Sequence, residues 1–181
     1  MQKRLTFVLL LIASLNVFGG LPEMILGKAK IEPGINLIFE GAIKDDVFPP
    51  AKFGSEGDSD IHLEVLANWN EDAPSGAPEG GFVAYLRITA VITNQETTQT
   101  KSVELLPHIN MSDNLHYALN VKLPGKRSDT YAIKFAVSPP RSYDLGLHYD
   151  WSEEVGSYLI KSHEFEYKNL DFFEISNSSR R

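Results

Sequence analysis

The sequence predicts an all-β protein, built as an immunoglobulin-like antiparallel β-sandwich. Short runs of alternating apolar and polar residues recur along the chain, and clusters of Gly, Pro, Asn and Asp separate them. No amphipathic helix longer than a turn or two interrupts the pattern, and no internal repeat is visible. At 181 residues the chain is long enough for one domain with a full hydrophobic core and too short to require two.

The elements follow in order. Met1 to Gly20 reads as a secretory signal peptide. Gln2-Lys3-Arg4 is its basic start, Leu5 to Phe18 a nearly unbroken apolar run, and Gly19-Gly20 a small-residue cleavage point. The run is short for a membrane span, and no other stretch is apolar enough to be one. A single domain is expected over 21–175, with a disordered polar tail over 176–181. Within the domain, Ile35 to Ile43 is the first strand, and Val47 to Asp58, with Pro49-Pro50, is a long connection. Asp60 to Trp69 is the second strand, and Asn70 to Gly81 a Pro- and Gly-rich loop. Phe82 to Thr93 alternates most cleanly, placing Phe82, Ala84, Leu86, Ile88, Ala90 and Ile92 on one face. Lys101 to Leu106 returns antiparallel after a turn. Pro107 to His116 carries Asn, Ser and Asp and reads as a loop between strands. Tyr117 to Leu123 and Thr130 to Val137 are further strands, Ser138 to Gly156 a long excursion, and Tyr158 to Leu170 the closing strand.

Charge and composition exclude several functions. The formal net charge is −7; losing Lys3 and Arg4 with the signal leaves about −9. A negative field repels nucleic acid and concentrates cations. There is no cysteine, hence no disulfide framework, thiolate metal site, thiol nucleophile or lipid-bearing cysteine after the signal. An exported chain without disulfides or an anchor fits a bacterial periplasm, with no membrane insertion once the signal is removed. No phosphate-binding glycine loop, nucleophile elbow or paired catalytic acids stand out.

The candidate chemistry lies in the histidines. In Asp60-Ile61-His62-Leu63-Glu64-Val65 the strand period turns Ile61, Leu63 and Val65 one way, and His62 and Glu64 together the other. An imidazole beside a carboxylate suits a metal ligand pair, or a ligand with its orienting partner, and equally an exposed polar pair. Pro107 to Tyr117 gathers His108, Met111, Asp113 and His116. Imidazole suits copper, zinc, iron or nickel, and thioether suits reduced copper; the alternative is a polar turn with two solvated histidines. His148, in Gly146-Leu147-His148-Tyr149-Asp150, sits in a loop free to fold over a site. His163, between Ser162 and Glu164 on the closing strand, reads as structural.

Taken together, Asp60-Ile61-His62-Leu63-Glu64, the Pro107-to-Tyr117 segment with Ser112-Asp113 and His116-Tyr117, and Gly146 to Asp150 occur in an order that resembles the periplasmic copper-binding proteins accompanying bacterial iron permeases. The resemblance spans nearly the whole domain, from Pro33 to Leu170. It implies a homodimeric immunoglobulin-like sandwich that binds copper and a second metal, iron, and supports uptake through an inner-membrane iron permease. Carried onto this chain, the strand histidine is His62, the nearby glutamate Glu64, the histidine before tyrosine His116, and the late-loop histidine His148. Asp113 matches an acidic position close to the metals. The family's methionine directly follows the proline that opens the central loop; here that position is His108, and the loop is one residue longer. Either His108 takes the methionine's place, which its spacing from Pro107 favours, or the loop bulges so that Met111 fills it. Imidazole in place of thioether shifts the donor set away from Cu(I) and toward Cu(II), zinc or Fe(II).

Three functions compete on this reading. A metal-binding accessory to iron import, without enzymatic activity of its own, fits best. A copper- or zinc-dependent oxidoreductase on a β-sandwich is the second, although the His-x-His pair and glycine-rich loop of a superoxide dismutase are absent. A metal-free envelope binding module, with incidental histidines, is the third.

Overall fold

The computed structural model describes residues 22–180; the expected signal segment, Met1 to Gly20, and Arg181 at the end of the expected tail lie outside them. Eight antiparallel strands and three short helices follow one another as β1 (Glu23–Ile31), β2 (Ile35–Ala42), α1 (Pro50–Phe53), β3 (Ile61–Trp69), β4 (Arg87–Asn94), β5 (Thr100–Ile109), β6 (Leu115–Val121), β7 (Thr130–Ser138), α2 (Tyr149–Glu154), β8 (His163–Asp171) and α3 (Phe173–Asn177). The strands are ordered β1-β2-β3-β6-β5-β4-β7-β8. β5 belongs to two layers: Thr100 to Leu105 pair with β4, and Leu106 to Ile109 pair with β6. The chain is therefore a sandwich, β1-β2-β3-β6-β5 over β5-β4-β7-β8. Without β1, the neighbours are those of an immunoglobulin domain whose middle strand switches sheets.

The two layers meet over apolar side chains that the period-2 rule turns inward. Leu37 and Phe39 of β2 and Ile61, Leu63 and Val65 of β3 face Ile88, Ala90 and Ile92 of β4 and Ile133, Phe135 and Val137 of β7, all fully buried. Phe39 and Phe135 join the layers with ring centroids 4.8 Å apart.

Several features differ from expectation. First, β1 was not anticipated: Met24-Ile25-Leu26 breaks the alternation, because the strand carries a bulge between Ile25 and Gly27. Second, the Phe82-to-Thr93 stretch is not one strand. Phe82 bridges to Asn68 of β3, Tyr85 turns the chain with φ +67°, and β4 begins only at Arg87. Val83, rather than Ala84, is therefore buried. The corner is held by the Tyr117 hydroxyl, which donates to Val83 O at 2.8 Å and accepts from Leu86 N at 2.9 Å.

Third, the segment read as a loop is a β-hairpin: β5 runs to Ile109, β6 starts at Leu115, and only residues 110–114 turn. Asn110 Oδ1 accepts from the backbone N–H groups of Ser112 and Asp113, an Asx-type turn, and Asn114 adopts φ +61°. At the C-terminus, the expected tail begins at a buried residue, Ser176. Lys44 Nζ donates to the carbonyls of Ser176 and Ser178 at 3.0 and 2.9 Å, which holds the chain end against the domain.

Candidate metal centre

The hairpin register assembles the site. His108 of β5 stands directly opposite His116 of β6, and His62 of β3 stands opposite Asn120 of β6. Residues two apart on a strand share a face, so His116, Ala118 and Asn120 line up beside His62 and Glu64. That face is the outer one, yet it is buried. His62, Glu64, His108 and His116 are 4, 3, 7 and 1 % exposed. The long connection between β2 and β3 covers them; Phe53 of α1 meets His108 edge-on at 4.6 Å between ring centroids. Gly54 sits so close to Asn120 that an added Cβ would lie 2.6 Å from its carbonyl oxygen; its φ of +82° also excludes most side chains.

His62, His108 and His116 each offer a ring nitrogen within 4.8 Å of the others. Neighbours fix the tautomers of two of them. Asn120 Nδ2 donates to the carbonyls of Asp45 and Gly54, so Asn120 Oδ1 is the acceptor that faces His62 Nδ1 at 2.8 Å. His62 Nδ1 thus carries the proton, and its Nε2 lone pair is free. His116 Nδ1 lies 3.0 Å from the Asn114 carbonyl, which only accepts, and the same conclusion follows. His108 Nε2 is buried and has no hydrogen-bond partner. A buried, orphaned ring nitrogen beside two preset lone pairs is what a cation would satisfy. Nitrogen donors of this kind fit copper or zinc.

The charges around the imidazoles are unusual. Burial first, and neighbouring imidazoles second, lower His108 to about 4; burial, partly offset by Asn120, lowers His62 to about 4. Glu64 Oε2 lies 3.4 Å from His116 Nε2, longer than an ordinary hydrogen bond. Burial, and then the charges of Asp113, Glu40 and Glu23, raise Glu64 to about 8. Glu40 is raised by burial and then by Glu23 and Asp113. Near neutral pH the centre therefore holds neutral His62 and His108 and a protonated Glu64.

The other predicted residues fall in different places. Asp113 is fixed within the turn, accepting from Asn110 Nδ2 at 2.7 Å and Ser112 Oγ at 2.9 Å. Met111 is fully exposed at the tip of the turn. His148 is exposed at the start of α2, on the β7–β8 connection and outside the cluster of three. Sequence reasoning missed Glu40, which pairs with Glu64 in the β2–β3 ladder, and Glu23, on the unanticipated β1. It also missed Asn120, for which the signal was present: it lies four residues after His116 on one strand face. Arg180 was missed too. It lines the same cavity of about 270 Å³ as the three histidines, and its Nε lies 3.6 Å from Asp45 Oδ2.

The sequence profile of the family described as Fe2+ transport protein matches residues 20–173. This chain belongs to that family. A UPF0423 protein of Brucella abortus (strain 2308) is 29% identical over 153 residues, covering 80% of this chain and 81% of that protein. Among solved structures, a copper-bound variant of Campylobacter jejuni P19 superposes with a TM-score of 0.69 at 26% identity, over 82% of this chain and 96% of that one. A copper-bound variant of FetP from uropathogenic Escherichia coli strain F11 does so with a TM-score of 0.68 at 21% identity, over 83% and 99%. The latter likeness is one of fold. Family membership together with the buried histidine cluster gives a coarse assignment, a metal-binding protein of iron transport. Among the described residues, no helix is long and apolar enough to cross a membrane.

Proposed function

We propose that this protein is a periplasmic copper- and iron-binding accessory that supports high-affinity iron uptake through an inner-membrane iron permease. One observation carries the proposal: three buried imidazoles, one with an orphaned ring nitrogen, lie within 4.8 Å of one another in a member of an iron-transport family. In this reading His62, His108 and His116 hold copper, with Glu64 beside it. His108 stands where the family resemblance places a methionine, and Met111, exposed on the turn, stays outside the set. Bound copper would supply one-electron exchange. The chain supplies a cluster of buried imidazoles, two fixed tautomers and Glu64 beside them.

Iron is the second metal. The carboxylates that raise one another around Glu64, namely Asp113, Glu40 and Glu23, support a hard cation next to the imidazoles. Two copies associate, and His148 reaches from the surface of one toward the cavity of the other. The exposure of His148, and of Phe48 and Ile109 at the cavity's edge, supports that arrangement.

The test is metal analysis of the exported, signal-free protein after loading with excess copper and dialysis into copper-free buffer. About one copper per chain should be retained by wild type and Met111→Ala, and little by His62→Ala or His108→Ala. Retention unaffected by both histidine changes would refute the assignment. Analytical ultracentrifugation of the same samples tests the dimer.

A further inference from the structure

The connection that covers the imidazoles is itself poorly covered. None of the residues from 44 to 58 is fully buried, and α1 contributes no buried side chain. Its backbone bonds close on themselves: Lys52 N and Phe53 N donate to the Pro49 carbonyl, and Gly54 N to the Pro50 carbonyl. Segments with so little buried apolar surface open locally far more easily than the strands beneath them. The far end of this cover is pinned, since Asp60, fully buried, accepts from Arg127 Nε at 2.7 Å and from Lys122 Nζ and Leu123 N at 3.0 Å. The near end, where the chain leaves β2, has two attachments. One is Asn120, which donates to the carbonyls of Asp45 and Gly54. The other is the C-terminal end of the chain.

That end is seated before it reaches the cover. A Cβ added at Gly41 of β2 would lie 2.9 Å from Phe172 and 3.3 Å from Ile175, so the glycine lets α3 approach the strand closely. Ile175 packs into the core and Ser176 is fully buried. Lys44 Nζ then donates to the carbonyls of Ser176 and Ser178 at 3.0 and 2.9 Å. Two residues further on, Arg180 Nε faces Asp45 Oδ2 at 3.6 Å, at the wall of the cavity that the three histidines line. Consecutive residues of the cover, Lys44 and Asp45, are thus both gripped by the chain end. The charge-assisted bonds of Lys44 are the stronger grip, and the part-exposed ion pair the weaker.

We infer that the C-terminal segment, from Phe173 to Arg180, is a clasp on the cover of the histidine cavity, and that it sets how fast a metal enters and leaves without setting how tightly the metal is held. The inference rests on the proposed histidine metal site. Lys44 is not among the residues that line the cavity, so its bonds to Ser176 and Ser178 are the same with or without an ion. A contact that favours the closed cover equally in both states has no differential effect on binding. It lowers the fraction of time the cover stands open, and uptake and release slow together.

Copper exchange of the exported, signal-free protein tests this. Uptake is followed by stopped flow, release by transfer to excess chelator, and affinity separately by competition titration. Lys44→Met keeps the apolar stem and loses the ammonium. It should speed uptake and release alike, by at least about tenfold, as expected for loss of a charge-assisted hydrogen bond, and leave affinity within about twofold. Arg180→Gln should act in the same direction but more weakly. In metal-free protein, the amides of Asp45 and Gly54 should exchange hydrogen faster in Lys44→Met, while those of Leu63 and Val65 in β3 should not, which separates opening of the cover from unfolding of the domain. If Lys44→Met loosens β3 as well, the rates of Arg180→Gln decide. Unchanged rates, or a change in one rate alone with a matching change in affinity, overturn the inference and leave the metal site standing. No copper taken up by wild type overturns both.

Discussion

Along the first half of β3 the two faces are both buried and do opposite things. Ile61, Leu63, Val65 and Ala67 face inward and are fully buried; His62 and Glu64 face outward and are 4 and 3 % exposed. The inner face is covered by a sheet, whose apolar side chains gain free energy by leaving water. The outer face is covered by the β2–β3 connection, with Arg180 at the same cavity, and the groups beneath are polar. Burying them costs free energy that hydrogen bonds with Asn120 and Asn114 only partly return. The comparison shows that burial is no guide to role: one face holds the fold together, and the other brings polar side chains into a cluster where the His108 ring nitrogen has no hydrogen-bond partner.

The largest expected effect breaks the inner face. Leu63→Ala should lower the unfolding free energy by about 2–5 kcal/mol, read by denaturant titration, because a packed site cannot close over the cavity. His62→Ala should cost far less stability in metal-free protein, yet abolish the rise in melting temperature that copper gives wild type. If the two substitutions were equally destabilising without metal, the contrast between the faces would be wrong.

An intermediate effect is expected at Asn120, which sets the His62 tautomer without touching an ion. Asn120→Ala should weaken copper binding about 10–100-fold in a competition titration. Glu64→Gln and Met111→Ala should bracket the scale from below, the latter leaving copper affinity unchanged.

The pH dependence follows from the direction of each shift. Between about 4 and 6.5, His62 and His108 are neutral in the fold and charged in the unfolded chain. The unfolded state binds more protons there, so metal-free stability falls as pH drops through that window. Glu64 acts in the opposite sense. Between 4.5 and about 8 the fold keeps a proton that the unfolded chain releases, so stability falls as pH rises. For these three groups the two histidines outweigh the glutamate below pH 6.5, and metal-free stability should peak near there. Glu64→Gln should remove the decline toward pH 8, as thermal melts across pH would show. Copper binding should persist to lower pH than ordinary histidines allow, because His62 and His108 reach half protonation only near about 4.

Much of this was legible in the sequence, for reasons that differ by residue. Alternation placed His62 and Glu64 on one face of β3, and the structure has them there. Alternation failed between Phe82 and Leu86, because a run that changes sheets at Tyr85 keeps its apolar character while losing its register. The turn-forming residues of Pro107 to His116 were read correctly as a turn but given too many positions. The hydrogen bonds of Asn110 close it in five residues, which leaves His108 and His116 on paired strands. Burial of the outer face could not be seen, since nothing local in Val47 to Asp58 says what that connection covers. Arg180 was hidden for a related reason. Six polar residues at a chain end carry no periodicity, and their attachment depends on Lys44, more than a hundred positions away.

β5 is hydrogen-bonded to one layer along its first half and to the other along its second. His108, near its end, lies on the half that pairs with β6, directly opposite His116, so the backbone spacing of those two residues follows from the hairpin register. His62 joins the same ladder opposite Asn120 of β6, so two strand pairings position the three backbones in advance. An ion held there would meet donors whose backbone spacing the sheet, rather than the ion, has set.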